Sequence, residues 1–163
     1  MLLKILLSGD GGQGIQLMSD LICRAAIQRG FFVSHMPNYG LEQRGGVSLA
    51  FIQISNSEIA YPKFSKPDVL VVMSDQARER TANHRCKDIG YLILDICDFE
   101  KKIDEQKIPR QSQNIFFLGL IAKMLEGKGV LEKDRVFGLL EEKLGKKPNW
   151  AENKKAWGLA KNI

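Results

Sequence analysis

Cysteine is scarce in this 163-residue chain, and Cys23, Cys86 and Cys97 share no C-x-x-C spacing. That excludes a disulfide framework and argues against an iron–sulfur or zinc site built by this chain alone. The apolar neighbours of the three suit reduced, intracellular thiols. Histidine is rarer still, and His35 and His84 stand at no metal-ligand spacing. There is no Ser-His-Asp set and no nucleophile elbow, so neither a metal site nor a catalytic residue is expected. No apolar run approaches the roughly 20 residues that span a bilayer, and residues 1–7 are too short for a signal segment. A cytoplasmic protein without a membrane partner is expected. Repeats and low-complexity stretches are also absent.

Charge of one sign is not concentrated either. The formal charge is +5, and 14 of the 24 basic residues follow Ile96, interspersed there with ten acids. Interspersed signs favour a solvated helical surface over a nucleic-acid-binding stripe. At 44% hydrophobic and 26% charged the chain is an ordinary globular composition, and its length suits a single domain over 1–163.

What the chain does have is glycine in the right place. The apolar run Leu2–Leu7 reads as a buried strand, broken by Gly9, Gly11, Gly12 and Gly14. A helical pattern follows at once, with Ile15, Met18, Leu21, Ile22, Ala25 and Ala26 spaced by three and four up to Gly30. Strand, glycine turn and helix in that order present a helix N-terminus to an anionic group, and let backbone approach a ligand or a second backbone closely. A short strand at Phe31–Val33 then leads into a long loop over residues 34–46, rich in Pro, Asn and Gly. Residues 47–55 and 58–61 read as a hairpin turning at Asn56-Ser57. Residues 68–73 and 91–95 read as buried strands, the first followed by a helix capped by Ser74 or Asp75 and running to about Arg85. Residues 98–110 are charged and weakly patterned. Three further helices are expected, one capped by Asn114, one over 132–144, and one from about Trp150. The fold class is therefore α/β: a mainly parallel sheet flanked by helices, with a β-hairpin insertion and a helical C-terminal third.

Gly9-x-Gly11-x-x-Gly14 satisfies the dinucleotide fingerprint, but the acid wanted about 20 residues on for the ribose is missing around Ser34, His35 and Met36. Gly9-Asp10-Gly11 also starts like a thiamine diphosphate motif, in which an Asp and a later Asn hold the metal. Asn38 stands at a plausible distance but alone. The second dense cluster is Tyr39-Gly40-Leu41-Glu42-Gln43-Arg44-Gly45-Gly46. An Arg between glycines can clamp a phosphate or carboxylate; Glu42 and Arg44 can equally fix the loop or pair with a neighbouring chain.

Taken together, Gly9-Asp10-Gly11-Gly12-Gln13-Gly14 and Tyr39-Gly40-x-Glu42-x-Arg44-Gly45-Gly46 strongly resemble the gamma subunit, or gamma domain, of the 2-oxoacid:ferredoxin oxidoreductases. Ile59-x-x-Pro62, Pro67-Asp68-Val69-Leu70, Asn114 with Leu118-Gly119, and Asn153-x-x-Ala156 are similar to that family too. The resemblance implies a subunit of an enzyme that oxidatively decarboxylates a 2-oxoacid to an acyl-CoA and reduces ferredoxin, the isolated chain being inactive. It implies alpha and beta partners holding thiamine diphosphate and Mg, a ferredoxin-like delta subunit or domain with the iron–sulfur clusters, and ferredoxin as acceptor. Coenzyme A is then the substrate of the complex, no cofactor is bound tightly by this chain, and the isolated chain is compatible with a homodimer. Gly9, Gly11, Gly12, Gln13, Gly14, Tyr39, Glu42, Arg44, Gly45 and Gly46 are the residues this reading offers for contact with CoA or partner chains. Pro37-x-Tyr39-Gly40-x-Glu42 leans the substrate toward 2-oxoglutarate, while Gln43-Arg44-Gly45-Gly46 has a flavour of the indolepyruvate branch. The rival is a free-standing, Rossmann-like nucleotide-dependent oxidoreductase using the Gly9 loop.

Overall fold

A computed structural model describes residues 1–39, 46–85 and 90–163, with Tyr39 described by its backbone. Its five strands are β1 (Leu2–Asp10), β2 (Phe32–Tyr39), β3 (Val47–Ser55), β4 (Val69–Val72) and β5 (Leu92–Asp95), in the spatial order β2-β3-β1-β4-β5. Its helices are α1 (Ile15–Gln28), α2 (Asp75–Arg80), α3 (Glu100–Glu105), α4 (Gln113–Gly127), α5 (Lys133–Leu144) and α6 (Trp150–Lys161).

The α/β class and the helical C-terminal third stand as expected, and an antiparallel hairpin is present. The sheet itself is evenly mixed: β1 pairs parallel with β4 and β4 with β5, whereas β1–β3 and β2–β3 are antiparallel. The hairpin lies one element earlier than its pattern suggests. β3 pairs back onto β2, and residues 58–61 form no strand. The cause is a side chain: buried Gln53 donates its amide to the Tyr61 carbonyl at 2.7 Å, holding that segment over the sheet without a backbone ladder. β2 likewise runs five residues past Ser34 instead of dissolving into a loop. It is an edge strand, where a residue such as Pro37 can lack a ladder donor on its outer side.

Period-2 alternation splits the strands between two apolar clusters. Leu3, Ile5, Leu7, Ile52, Ile54, Val69 and Val71 face the main core, which α1, α4, α5 and α6 complete. Leu6, Leu49, Leu70 and Val72 face the other side, where Ala77 of α2 joins them. α4 is buried along most of its length, Phe116 and Phe117 completely, because it lies inside this core with helices on either side. Gly119 lets α4 and α6 close up: a Cβ there would lie 2.6 Å from the Ala160 Cβ. The α4 cap differs from expectation. Ser112 occupies the cap position, and Asn114 is buried in the first turn.

Candidate functional site

β1 and β4 are parallel neighbours, but the chain leaves β1 into α1 on the main-core face and leaves β4 into α2 on the other. Where helices part to opposite faces, the carboxyl ends of adjacent strands leave a crevice. Here it has a volume of about 610 Å³ and is walled by Asp10, Gly11, Gly12 and Gln13 on one side and by Pro109, Arg110 and Gln111 on the other.

Beside the crevice the glycine turn is stitched to the end of β4. Gln13 folds back under its own turn: its Oε1 accepts from the Asp10 N–H at 2.7 Å, and its Nε2 donates to the Met73 carbonyl at 3.1 Å. The Ser74 hydroxyl donates to Asp10 Oδ1 at 2.6 Å while accepting from the Ala77 N–H, so the cap of α2 also fixes the Asp10 carboxylate. Arg110 stands 3.6 Å from the other oxygen of Asp10, with 77% of its side chain exposed. The crevice therefore carries one carboxylate held in place and one guanidinium that reaches into water.

The four glycines of the turn have different reasons to be glycine. At Gly9 a Cβ would meet Gln13 Oε1 at 2.7 Å and Ile15 Cδ1 at 2.9 Å, a packing demand inside the chain. Gly11 donates its N–H to the Gly46 carbonyl at 2.9 Å. Gly12 has φ +89° and nothing within 4 Å of its missing side chain, so it faces open space. Gly14 has φ +77°, and the Asn114 amide fills the place of its Cβ. The turn thus leads into α1 through a left-handed residue that brings no side chain to cap the helix, whose first N–H groups lack intrahelical partners as in any helix.

Of the residues predicted as a site, the structure brings Gly11, Gly12 and Gln13 to the crevice wall and joins Gly11 to Gly46, so the two glycine clusters meet. Gly9 and Gly14 support the turn from behind. Tyr39 ends β2, its backbone paired with Ser48; Glu42, Arg44 and Gly45 lie outside the described residues. Asn38 lines a separate cavity, with Met36 and Phe51, so Asp10 and Asn38 do not form one metal–diphosphate holder and the residues do not fit thiamine diphosphate. β2 contains no Asp or Glu, which leaves the dinucleotide reading without its ribose carboxylate.

Sequence reasoning named Ser74 only as a helix cap, and missed Arg110 and the Ser112 support behind it. Ser112, next to the Arg110–Gln111 wall, donates its hydroxyl to Asn153 Oδ1 of α6 at 2.7 Å, and both residues are buried. Asn114 in apolar α4, and Asn153 on the same face of α6 as Ala156 and Trp157, are the signal that could have pointed there.

A second charged group sits further along the same strand ends. Arg78 bonds both oxygens of Asp95, at 2.8 and 2.7 Å, and also pairs with Asp75. Burial pushes the Asp95 carboxyl up, but the bonds from Arg78 and the Cys97 N–H outweigh it and leave its pKa below the ordinary carboxylate value. Among the described residues no group of three His, Cys, Asp or Glu side chains converges as a metal site, and no helix is long and apolar enough to cross a membrane.

Known proteins share both pattern and shape. Residues 4–109 match the family model described as pyruvate ferredoxin/flavodoxin oxidoreductase. Over 75 residues, 45% of this chain, the protein is 44% identical to the 2-oxoglutarate synthase subunit KorC of Methanothermobacter marburgensis, and the match spans 40% of that subunit's length. Two solved structures have the same fold. In the 2-oxoglutarate:ferredoxin oxidoreductase of Magnetococcus marinus, solved with 2-oxoglutarate, coenzyme A and succinyl-CoA bound, the likeness covers 99% of this chain and 31% of that one, at 20% identity and a TM-score of 0.75. In the keto/oxoacid ferredoxin oxidoreductase gamma subunit of Geobacter sulfurreducens it covers 97% and 95%, at 21% identity and 0.68. The matched stretch runs from β1 to the Pro109 wall of the crevice and takes in both glycine clusters, and the chain belongs to the pyruvate ferredoxin/flavodoxin oxidoreductase family.

Proposed function

We propose that this chain is the gamma subunit of a cytoplasmic 2-oxoacid:ferredoxin oxidoreductase, with 2-oxoglutarate as the 2-oxoacid, and that it contributes binding surface, with the decarboxylation chemistry residing in its partners. The observation that carries the reading is the crevice between the glycine turn at the carboxyl end of β1 and the Pro109–Gln111 wall, with Arg110 on it. Gln13 is engaged in fixing backbone and Asp10 is held by Ser74, which leaves the exposed Arg110 and Gln111 as the side chains turned to a ligand. Among the described residues that line it none is arranged to abstract a proton or attack a carbonyl, but it can hold an anion: backbone N–H groups at the start of α1 supply a positive field, and Arg110 supplies a mobile fork of donors. Coenzyme A, the acyl acceptor of such an enzyme, presents phosphates of that chemistry. In this role Gly12 lets the group approach the backbone, Arg110 closes over it, and Asp10 holds Arg110 nearby before the ligand arrives. Thiamine diphosphate, Mg and the iron–sulfur clusters are assigned to alpha, beta and delta partners, and ferredoxin is the acceptor.

The reading is tested by expressing the chain with and without large subunits of a 2-oxoacid:ferredoxin oxidoreductase from the same organism and assaying CoA-dependent reduction of ferredoxin by 2-oxoglutarate. Activity of the assembled set that falls when this chain is left out supports the proposal. Full activity of the large subunits without it removes the subunit role.

A further inference from the structure

The two faces of the sheet are finished differently. The main-core face lies under α1 and α4–α6, whose outer surface carries exposed charges such as Lys123, Glu141, Lys143, Lys154 and Lys155. Among the described residues the other face has α2, the turn Ala82–His84 and the segment 58–66 laid across it. That segment is tied down by Gln53 at the Tyr61 carbonyl, by a 2.7 Å contact between His84 Nδ1 and the Ser65 carbonyl, and by Phe64 edge-on to Phe51 at 5.2 Å.

What it leaves uncovered includes large apolar side chains set among polar ones. Leu2 and Phe32 are 48% and 47% exposed, and both pair in register with Ser55, so they flank it on one face of three adjacent strands. Tyr61 is 68% exposed. Tyr61 and Lys63 border two open cavities of about 570 and 440 Å³. The first is floored by Met36, Phe51 and Phe64; the second reaches Leu2 and Lys4. Contiguous apolar exposure of this kind is uncommon on a protein that works alone. Lys63 borders both cavities; among the described residues no carboxylate lines the first, while Glu58 shares the second.

We propose that this thinly covered sheet face is the surface by which the chain seats on the large subunits of its enzyme, receiving an extended segment with apolar side chains and a carboxylate opposite Lys63. The proposal rests on the subunit reading above and adds the face and the chemistry of the contact. A protein occupant suits the site better than a small ligand because the two cavities are open, share Tyr61 and Lys63 on their rims, and the second reaches exposed Leu2. In the Magnetococcus marinus enzyme the same fold is under a third of one longer chain, so there it is joined to further protein. The charged helical surface is the poorer choice, since interface centres are depleted in charge.

The test uses the assembled complex. Wild type, Tyr61→Glu, Phe32→Glu and Lys63→Glu are co-expressed with the large subunits, with Ile27→Glu, on exposed α1 surface, as control. Each free variant is first checked for a wild-type melting curve. Loss of co-purification by tenfold or more in the first three, with Ile27→Glu retained, is expected. Because a variant can fail to fold, amide exchange of the wild-type chain is compared free and assembled; protection over residues 32–36 and 58–66, with α5 and α6 unchanged, is expected. Normal assembly of all three variants, or protection confined to the helical face, overturns the inference. Failure of the wild type to associate at all overturns the subunit reading, a separately readable outcome that removes the inference with it.

Discussion

The Gly11 N–H donates to the Gly46 carbonyl at 2.9 Å, joining the turn after β1 to the first described residue before β3. The two glycine clusters, separate in sequence, are one structure at this bond. It also redirects the usual argument about such a turn: the second backbone that Gly11 approaches belongs to the same chain, and the position that faces open space is Gly12.

Substitution to alanine should therefore rank the turn. Gly14→Ala combines a left-handed φ with a collision against the Asn114 amide and should cost about 2–4 kcal/mol. Gly12→Ala carries the backbone strain alone, about 1–2 kcal/mol. Gly11→Ala has an ordinary φ, and its nearest neighbour is Gly46 O at 3.4 Å, so it should change stability by under about 0.5 kcal/mol. Urea melts of the three variants check the order, and a Gly11→Ala as damaging as Gly14→Ala contradicts it.

Asp95 predicts an acid limb. Its pKa is below the ordinary value in the folded chain, so its contribution to stability is present above the unfolded carboxylate pKa and disappears as pH falls through the folded one, a window below about pH 4. Asp95→Asn should lower stability at pH 7 by roughly 2 kcal/mol, through loss of charge-assisted bonds from Arg78. It should also flatten the fall in melting temperature between about pH 4 and 2. An unchanged acid limb would mean that other carboxylates set it.

Cys23 is buried among apolar side chains of α1, and burial pushes its thiol up to about 12. Cys97 is exposed. At pH 8 a maleimide should modify Cys97 within minutes and leave Cys23 untouched until the chain is unfolded, as read by peptide mass spectrometry. Labelling of native Cys23 would show that α1 opens readily.

Much of this architecture was legible in the chain. The period of α1, the apolar runs of β1, β4 and β5, and the Ser74 cap are local properties that tertiary contacts reinforced. The errors came where a side chain or an edge position decided the outcome. Gln53 holds 58–61 by one amide instead of a ladder, and Pro37 sits in an edge strand that tolerates it. α3 arose in a stretch with little pattern because only Ile103 needs burial there. At the site, the glycines named the turn but not its opposite wall. Arg110 is brought to Asp10 by the packing of α4 and α6, including the buried Ser112–Asn153 pair, and no spacing along the chain encodes that meeting.

Arg110 is consequently the residue whose replacement best separates fold from ligand. Its side chain is 77% exposed and its pairing with Asp10 is long, at 3.6 Å, so the pair adds little to stability. Arg110→Ala should melt within about 1 °C of wild type, since a surface change of a few tenths of a kcal/mol moves a domain of this size by no more. If Arg110 closes on a phosphate of coenzyme A, the assembled enzyme should show KM for CoA raised about tenfold, the loss of one charge-assisted contact, with kcat and KM for the 2-oxoacid nearly unchanged. Arg110→Lys should recover part of the loss, because it restores the charge without the planar fork. An unchanged KM for CoA in Arg110→Ala would assign the crevice to partner backbone. A fall in kcat without a change in KM would place Arg110 in ordering the transition state instead of in binding.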